Sequence, residues 1–212
     1  FTGLVSSDAT ITTAAMTSTG MTYYAKFSIQ KYNLTFNVAT NGGTSTAPSA
    51  VAIYYGQTYT IPSDTKATKS GWTFIGWNET STANAKQTTV TMNSTSGKTV
   101  YAIFSKTITI SYYDYANQTT PVTKSATIYN TATSATIDVP AIANATVSGV
   151  TYTGRGWSTA TGANATLNIT GNTATTVTAS ANATYYASYS ASITATFYYN
   201  NTTNATVGQA SA

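Results

Sequence analysis

The chain carries few groups that could do chemistry. Its acids are Asp8, Asp64, Glu79, Asp114 and Asp138, and it has no histidine and no cysteine. Without histidine the commonest general base and metal ligand is missing. Without histidine and cysteine the Ser/His/Asp and Cys/His nucleophilic systems are excluded. Disulfides and thiolate metal sites go with the cysteine. Paired-carboxylate hydrolysis needs two carboxyls about 5–10 Å apart, yet no two of the five acids share a short motif. No D-x-D-x-D cluster offers calcium several oxygens at close quarters. A Lys–Asn isopeptide crosslink needs a buried acid beside the pair, and no motif marks one. The expectation is a protein that is not an enzyme and uses no metal and no cofactor.

What remains is aromatic and amide chemistry. There are three tryptophans, Trp72, Trp77 and Trp157, and 17 tyrosines. Exposed aromatic rings stack on sugars, whereas a tryptophan that follows a glycine at the same place in two segments reads as a core plug. Gly76-Trp77 and Gly156-Trp157 are such a pair. Trp72 has no counterpart, so it is the expected exposed ring and the candidate ligand contact. Several tyrosines come in pairs, at 23–24, 54–55, 112–113, 185–186 and 198–199. Neighbours in a strand face opposite sides, so one of each pair is expected in the core and the other at a surface or interface.

Eleven N-x-Ser/Thr sequons begin at Asn33, Asn78, Asn93, Asn117, Asn144, Asn164, Asn168, Asn182, Asn200, Asn201 and Asn204. With 49 threonines in 212 residues many would arise by chance. The proportion of asparagines involved exceeds that chance level, so these are candidate glycosylation sites on a surface with little other means of solubility.

Only 7% of the chain is charged, against roughly 25% in ordinary soluble domains. Its net charge of +4 comes from nine scattered cations. No run of Lys or Arg tracks a phosphate backbone, so nucleic acid is not an expected partner. No apolar run reaches the roughly 18 residues that span a bilayer, so membrane insertion is not expected either. Threonine and tyrosine favour pleated, half-buried surfaces, which predicts a β-dominated fold with little helix.

The chain also repeats itself, and this sets its organisation. "TYYAKF" at 22–27, "TVYAIF" at 99–104 and "TYYASY" at 184–189 match one another. Each is followed by a second alternating segment carrying an aromatic, at Phe36, Tyr112 and Phe197. The division is residues 1–28 as the end of one repeat, 29–106 and 107–191 as full repeats, and 192–212 as the start of another or a donated strand. Within the first repeat, "YNLTFNV" reads as a strand, "NGG" as a turn, "VAIYYGQTYTI" as two strands broken at Gly56, "PSDTKATKSG" as a crossover, and "WTFIGW" as a strand. Links between units are too short for a flexible linker, so a stiff joint is expected.

The combination of Asn-Gly-Gly at 41–43, "SGWTFIGW" at 70–77 and a closing Tyr-Ala segment at 99–104 resembles the Listeria–Bacteroides repeat, also called the internalin B-repeat. The second repeat shares "TYTGRGW" and "TYYASY" but has "YANQTT" where the Asn-Gly-Gly stands. The resemblance implies tandem β-grasp modules on extracellular or cell-surface proteins, acting as stalk, spacer or adhesin. It places Trp77, Trp157, Tyr101 and Tyr186 in the structural core. From its own pattern, the C-terminal apolar strand, through Ile193, Phe197 and Tyr199, is either the start of a further repeat or a strand donated to the next copy, which would make head-to-tail filaments. A host or surface ligand is the alternative partner. The alternative functions are a glycan-binding surface module and a virion fibre or decoration protein.

Overall fold

The computed structural model describes residues 4–5, 10–11, 24–25, 29–162, 165–198 and 206–211. Three short strands come first, β1 (Leu4–Val5), β2 (Thr10–Ile11) and β3 (Tyr24–Ala25), in a small antiparallel sheet of order β2-β1-β3. Then follow β4 (Lys31–Asn37), β5 (Val51–Tyr54), β6 (Thr58–Thr60), β7 (Thr73–Asn78) and β8 (Thr89–Thr91). A 16-residue strand comes next, β9 (Lys98–Tyr113). Beyond it lie β10 (Val122–Tyr129), β11 (Ala135–Val139), β12 (Ala145–Val147), β13 (Val150–Ser158), β14 (Ile169–Thr170), β15 (Thr175–Ala179) and β16 (Ala183–Ser190). The last two are β17 (Thr194–Tyr198) and β18 (Thr206–Ser211). Among the described residues the only helix is one 3₁₀ turn, Ala39–Asn41. The chain forms two compact units, residues 1–104 and 105–212, divided inside β9 rather than in a loop.

In the first unit β4 pairs antiparallel with β5 and parallel with β9, Leu34 opposite Lys98 through Asn37 opposite Tyr101. Strand β7 also pairs with β9, and β6 pairs with β8 in a separate ribbon. Gly56 breaks β5 from β6 in a left-handed conformation (φ +82°), where L side chains are strained. The core is apolar and aromatic, with Leu34, Phe36, Trp77, Met92, Val100 and Phe104 all buried. The Asn-Gly-Gly of the sequence has three separate roles. Asn41 is buried and donates from Nδ2 to the Ser81 and Ala102 carbonyls at 2.9 and 2.8 Å. Gly42 ends the 3₁₀ turn at φ +74°. Gly43 lies so close to Val38 that a Cβ would come within 2.4 Å of its Cγ1.

The second unit repeats the plan. The later residues of β9 pair antiparallel with β10 and parallel with β16, Ile110 opposite Ala183 through Tyr113 opposite Tyr186. Strand β13 pairs with β16, and β11 pairs with β15 in a separate ribbon. In both copies of the plan the opening and closing strands are therefore parallel neighbours, an arrangement that needs a long crossover. The crossovers here carry strands and irregular backbone. No gripping helix of the kind a β-grasp module implies is found among the described residues.

The Gly-Trp pairs coincide in geometry. Trp77 is 2% exposed and Trp157 1%. Each meets an aromatic of its unit's first strand edge-on at 4.9 Å, Phe36 in one case and Tyr112 in the other. Each indole N–H finds a backbone carbonyl, Thr65 at 2.9 Å and Pro140 at 3.2 Å, as a buried donor must. The preceding glycines have nearly identical φ, +152° at Gly76 and +151° at Gly156. A Cβ on Gly76 would come within 2.5 Å of Lys86 Cβ, and one on Gly156 within 2.2 Å of the Ile169 carbonyl oxygen.

Two expected core tyrosines are not in the core. Strand alternation puts even residues of β9, among them Val100, Ala102, Ile108, Ile110 and Tyr112, on the buried face, although odd Ile103 is buried too. Tyr101 is odd and only half-buried. Tyr186 lies opposite Tyr113 and stacks on it at 5.4 Å, on the reverse face from Tyr112, and is also half-buried. The core tyrosine is Tyr112, fully buried and stacked on Tyr185 at 5.7 Å.

Gly76→Ala and Gly156→Ala are each expected to destabilise their unit by at least ~2 kcal/mol, from backbone strain plus the clash. Gly156→Ala should cost more, because its neighbour is backbone; denaturant unfolding midpoints measure both. The Tyr112 hydroxyl is buried with no hydrogen-bond partner. Burial, followed by the neighbouring Tyr185 and Asp138, pushes its pKa up to about 12. The unfolded phenol titrates near 10, so the unfolded state gives up its proton first as pH rises. The stability held below pH about 10 is thus lost as pH climbs through about 12. Tyr112→Phe, with the ring that Phe36 already supplies in the first unit, should raise neutral-pH stability by about 1 kcal/mol. It should also remove this part of the alkaline loss, read by denaturation at a series of pH values.

Candidate functional site

Trp72 is not the exposed ring that the sequence suggests. It packs half-buried against the first unit's core. Its backbone N–H donates to the Lys69 carbonyl at 3.1 Å, and the Lys69 ammonium sits 3.8 Å from its ring centroid. Burial holds the Lys69 pKa below the ordinary lysine value. The face a sugar would stack on is thus covered by a cation from the neighbouring turn. Tyr54 and Tyr55 also depart from the one-in, one-out expectation, being 47% and 46% exposed. They end β5, where the strand turns at Gly56 and alternation lapses.

Of the sequon asparagines, Asn33, Asn93, Asn144, Asn168 and Asn182 are exposed. Asn168 and Asn182 use their Oδ1 to accept backbone N–H groups from Thr159 and Thr109 at 2.8 and 2.9 Å. That leaves the amide nitrogen, the atom a glycan would take, outside those bonds. Asn78 and Asn117 are half-buried and commit Nδ2 to the fold, to the Ala85 carbonyl and to Asp114 Oδ1. Asn164, Asn200, Asn201 and Asn204 lie outside the described residues.

The C-terminal strand is not unpaired. β17 runs antiparallel to β18 of the same chain, Thr194 opposite Ser211. A hairpin return satisfies one edge of the strand locally, which removes the premise of a lone donor. Ile193 is 58% exposed just before it. The side chain of Phe197 and the whole of Tyr199 lie outside the described residues.

Among the described residues no three His, Cys, Asp or Glu gather in a group that could hold a metal. Glu79 serves the fold. Burial alone would raise its pKa, but hydrogen bonds from Lys98 and Gln87 outweigh this and hold it below the usual carboxylate value. Lys98 Nζ lies 2.6 Å from Glu79 Oε1, and Gln87 Nε2 lies 2.8 Å from Oε2.

The best-formed concavity is in the second unit. It is a cleft of about 300 Å³ walled by Tyr113, Tyr115, Tyr186 and Tyr189, with Asp114 and Gln118 at its polar side. Tyr113 and Tyr186 stack 21° from coplanar. The Tyr115 N–H donates to the Tyr189 hydroxyl at 3.2 Å. Burial pushes the Tyr189 phenol above its ordinary pKa, opposed by that N–H and reinforced by Asp114. Asp114 Oδ1 accepts from the Asn117 backbone and side chain at 2.8 and 2.9 Å. An apolar hollow of about 160 Å³ adjoins, sharing Tyr115 and Tyr189 and adding Val147 and Tyr152. Alternation puts one tyrosine of each pair off the core without saying which; the structure makes Tyr113 and, against expectation, Tyr186 the off-core members. That they meet is set by the parallel register of β9 and β16, which no local pattern shows.

Residues 32–103 match the family model of the Listeria-Bacteroides repeat domain. No curated protein and no solved structure matches the chain significantly. The second unit is related to the matched segment by its repeated strand plan and Gly-Trp geometry. No helix among the described residues is long and apolar enough to cross a membrane.

Since Trp72 packs on the core, Trp72→Ala is expected to cost about 1–2 kcal/mol of stability, below the roughly 3–5 expected for the fully buried Trp77→Ala. Equilibrium unfolding followed by circular dichroism compares the two. A Trp72→Ala variant with unchanged stability would restore Trp72 as a free surface ring.

Proposed function

We propose that the chain is a non-enzymatic, extracellular surface repeat protein whose units serve as a mechanical spacer or stalk. The observation that supports it best is the pairing of terminal strands. In each copy of the repeated strand plan the opening strand is hydrogen-bonded in parallel to the closing one, β4 to β9 and β9 to β16. Tension along the chain enters a unit on its first strand and leaves on its last. Two parallel neighbours pulled from opposite ends are loaded in shear, so their ladder bonds must break together. A hairpin pulled from one end opens one bond at a time.

The remaining features agree with a spacer. The last strand of the first unit continues into the first strand of the second as β9, with no linker that could be extended at low force. The match to a repeat family, itself implied to occur on surface proteins, supports an extracellular setting. A surface of threonine, serine and asparagine with few charges changes little with salt or mild pH.

Stretching single molecules of the full chain from its two ends is the test. Two separate force peaks are expected, each releasing about 250–300 Å, as roughly 75–85 residues at about 3.5 Å each require. Tyr113→Pro puts a residue with no backbone donor into the stretch of β9 in register with β16 and should lower the force of one peak only. Extension without peaks would rule out the mechanical reading.

A further inference from the structure

The two units allow one repeat to be compared with the other. Phe36 and Tyr112 each meet their unit's tryptophan at the same distance, and Ala102 and Ala187 close the two repeats. On this alignment Asn37 corresponds to Tyr113 and Val38 to Asp114. Tyr101 corresponds to Tyr186, and Phe104 to Tyr189. The sheet agrees, because Asn37 stands opposite Tyr101 as Tyr113 stands opposite Tyr186.

The first unit folds without the aromatic stack. Its groove at the matching place is walled by Asn37, Val38, Ala39 and Gly43, and Phe104 beneath is fully buried. In the second unit the Asn-Gly-Gly turn is gone. Gln118 and Thr119 follow Asn117, where two glycines follow Asn41. The same place now holds four tyrosines, a carboxylate and an amide around open space. The fold does not require these residues, since its twin does without them. Large amphipathic rings left half-exposed call for another explanation.

Their chemistry specifies the occupant. The flat ring faces of Tyr113 and Tyr186 suit a slab of C–H groups. Asp114 Oδ1 is pinned by Asn117, while among the described residues no hydrogen bond takes Asp114 Oδ2 or Gln118 Oε1. Both accept hydrogen bonds from hydroxyls. No lysine or arginine lines the cleft or the adjoining hollow, and Asp114 repels anions. A pyranose ring has this two-sided character, apolar on its face and hydroxylated at its rim. The cleft and hollow, joined at Tyr115 and Tyr189, offer adjacent places for successive rings. We infer that this face of the second unit binds an uncharged polysaccharide chain, with Tyr113 and Tyr186 as the stacking platform and Asp114 as the hydroxyl acceptor. This is separate from the mechanical reading, and either can stand without the other.

Electrophoresis of the full chain through native gels containing a mannan, a β-glucan, a galactan or, as anionic control, alginate tests it. Retardation by at least one neutral polymer and not by alginate is expected. Tyr113→Asn installs the residue the first unit carries at this place. It should weaken retardation about tenfold, the loss of a single good contact, with unchanged melting temperature. Asp114→Asn should weaken it too. Should Tyr113→Asn lower the melting temperature, the ring resonances of Tyr113 and Tyr186 in the wild-type chain give the answer without a variant. They should shift on titration with oligosaccharides of the retarding polymer. Unretarded migration in every neutral gel, retardation that survives both substitutions, retardation by alginate alone, or unmoved ring resonances would each overturn the inference.

Discussion

Burying an indole in a unit this small imposes a constraint that organises the rest of each repeat. The ring supplies a large apolar area, but its N–H must find an acceptor and its backbone must leave room for the strand beside it. Both units solve this alike. A glycine at φ near +150° precedes the tryptophan, and the space its missing side chain leaves is filled by Lys86 in one unit and the Ile169 backbone in the other. A carbonyl from the crossover, Thr65 or Pro140, accepts the N–H. The crossover therefore need not be helical. It needs only to bring a carbonyl over the ring, and an irregular path does that.

With the tryptophan fixed, the strands around it are fixed as well. The ring lies edge-on to an aromatic of the first strand, and that strand is the parallel partner of the last. The aromatic contact ties the opening strand to the middle of the repeat, and the parallel ladder ties it to the closing strand. The opening and closing strands of each repeat therefore lie side by side.

The two repeats differ where the core does not constrain them. Tyr112 replaces Phe36 and leaves a hydroxyl buried without a partner. Tyr113 replaces Asn37 on the opposite face, where the substitution costs the core nothing. The Asn-Gly-Gly turn, closed by a buried asparagine and two glycines, gives way to a turn held by Asn117 and Asp114. A repeat whose stability rests on one face can vary the other, and here the variation collects tyrosines.

Much of this was legible in the chain itself. Alternation, turn residues and the repeated Gly-Trp and Tyr-Ala landmarks determine the strands, their recurrence and the burial of Trp77 and Trp157, because all are local consequences of side-chain period and backbone freedom. Residue chemistry bounds function in the same local way, as the missing histidine and cysteine do. What the tertiary structure decided depends on register and on neighbours distant in sequence. Tyr101 and Tyr186 carry the right landmark but are only half-buried, Tyr186 because its register sets it beside Tyr113 and not Tyr112. Trp72 was the odd tryptophan by spacing, yet it lies against the core beneath Lys69. Ile193 to Tyr199 reads as a free strand, and a hairpin partner lay beyond it. The tyrosine cleft exists only because β9 and β16 pair in parallel at one register, and a shift of a single residue would have turned the same side chains to the opposite face.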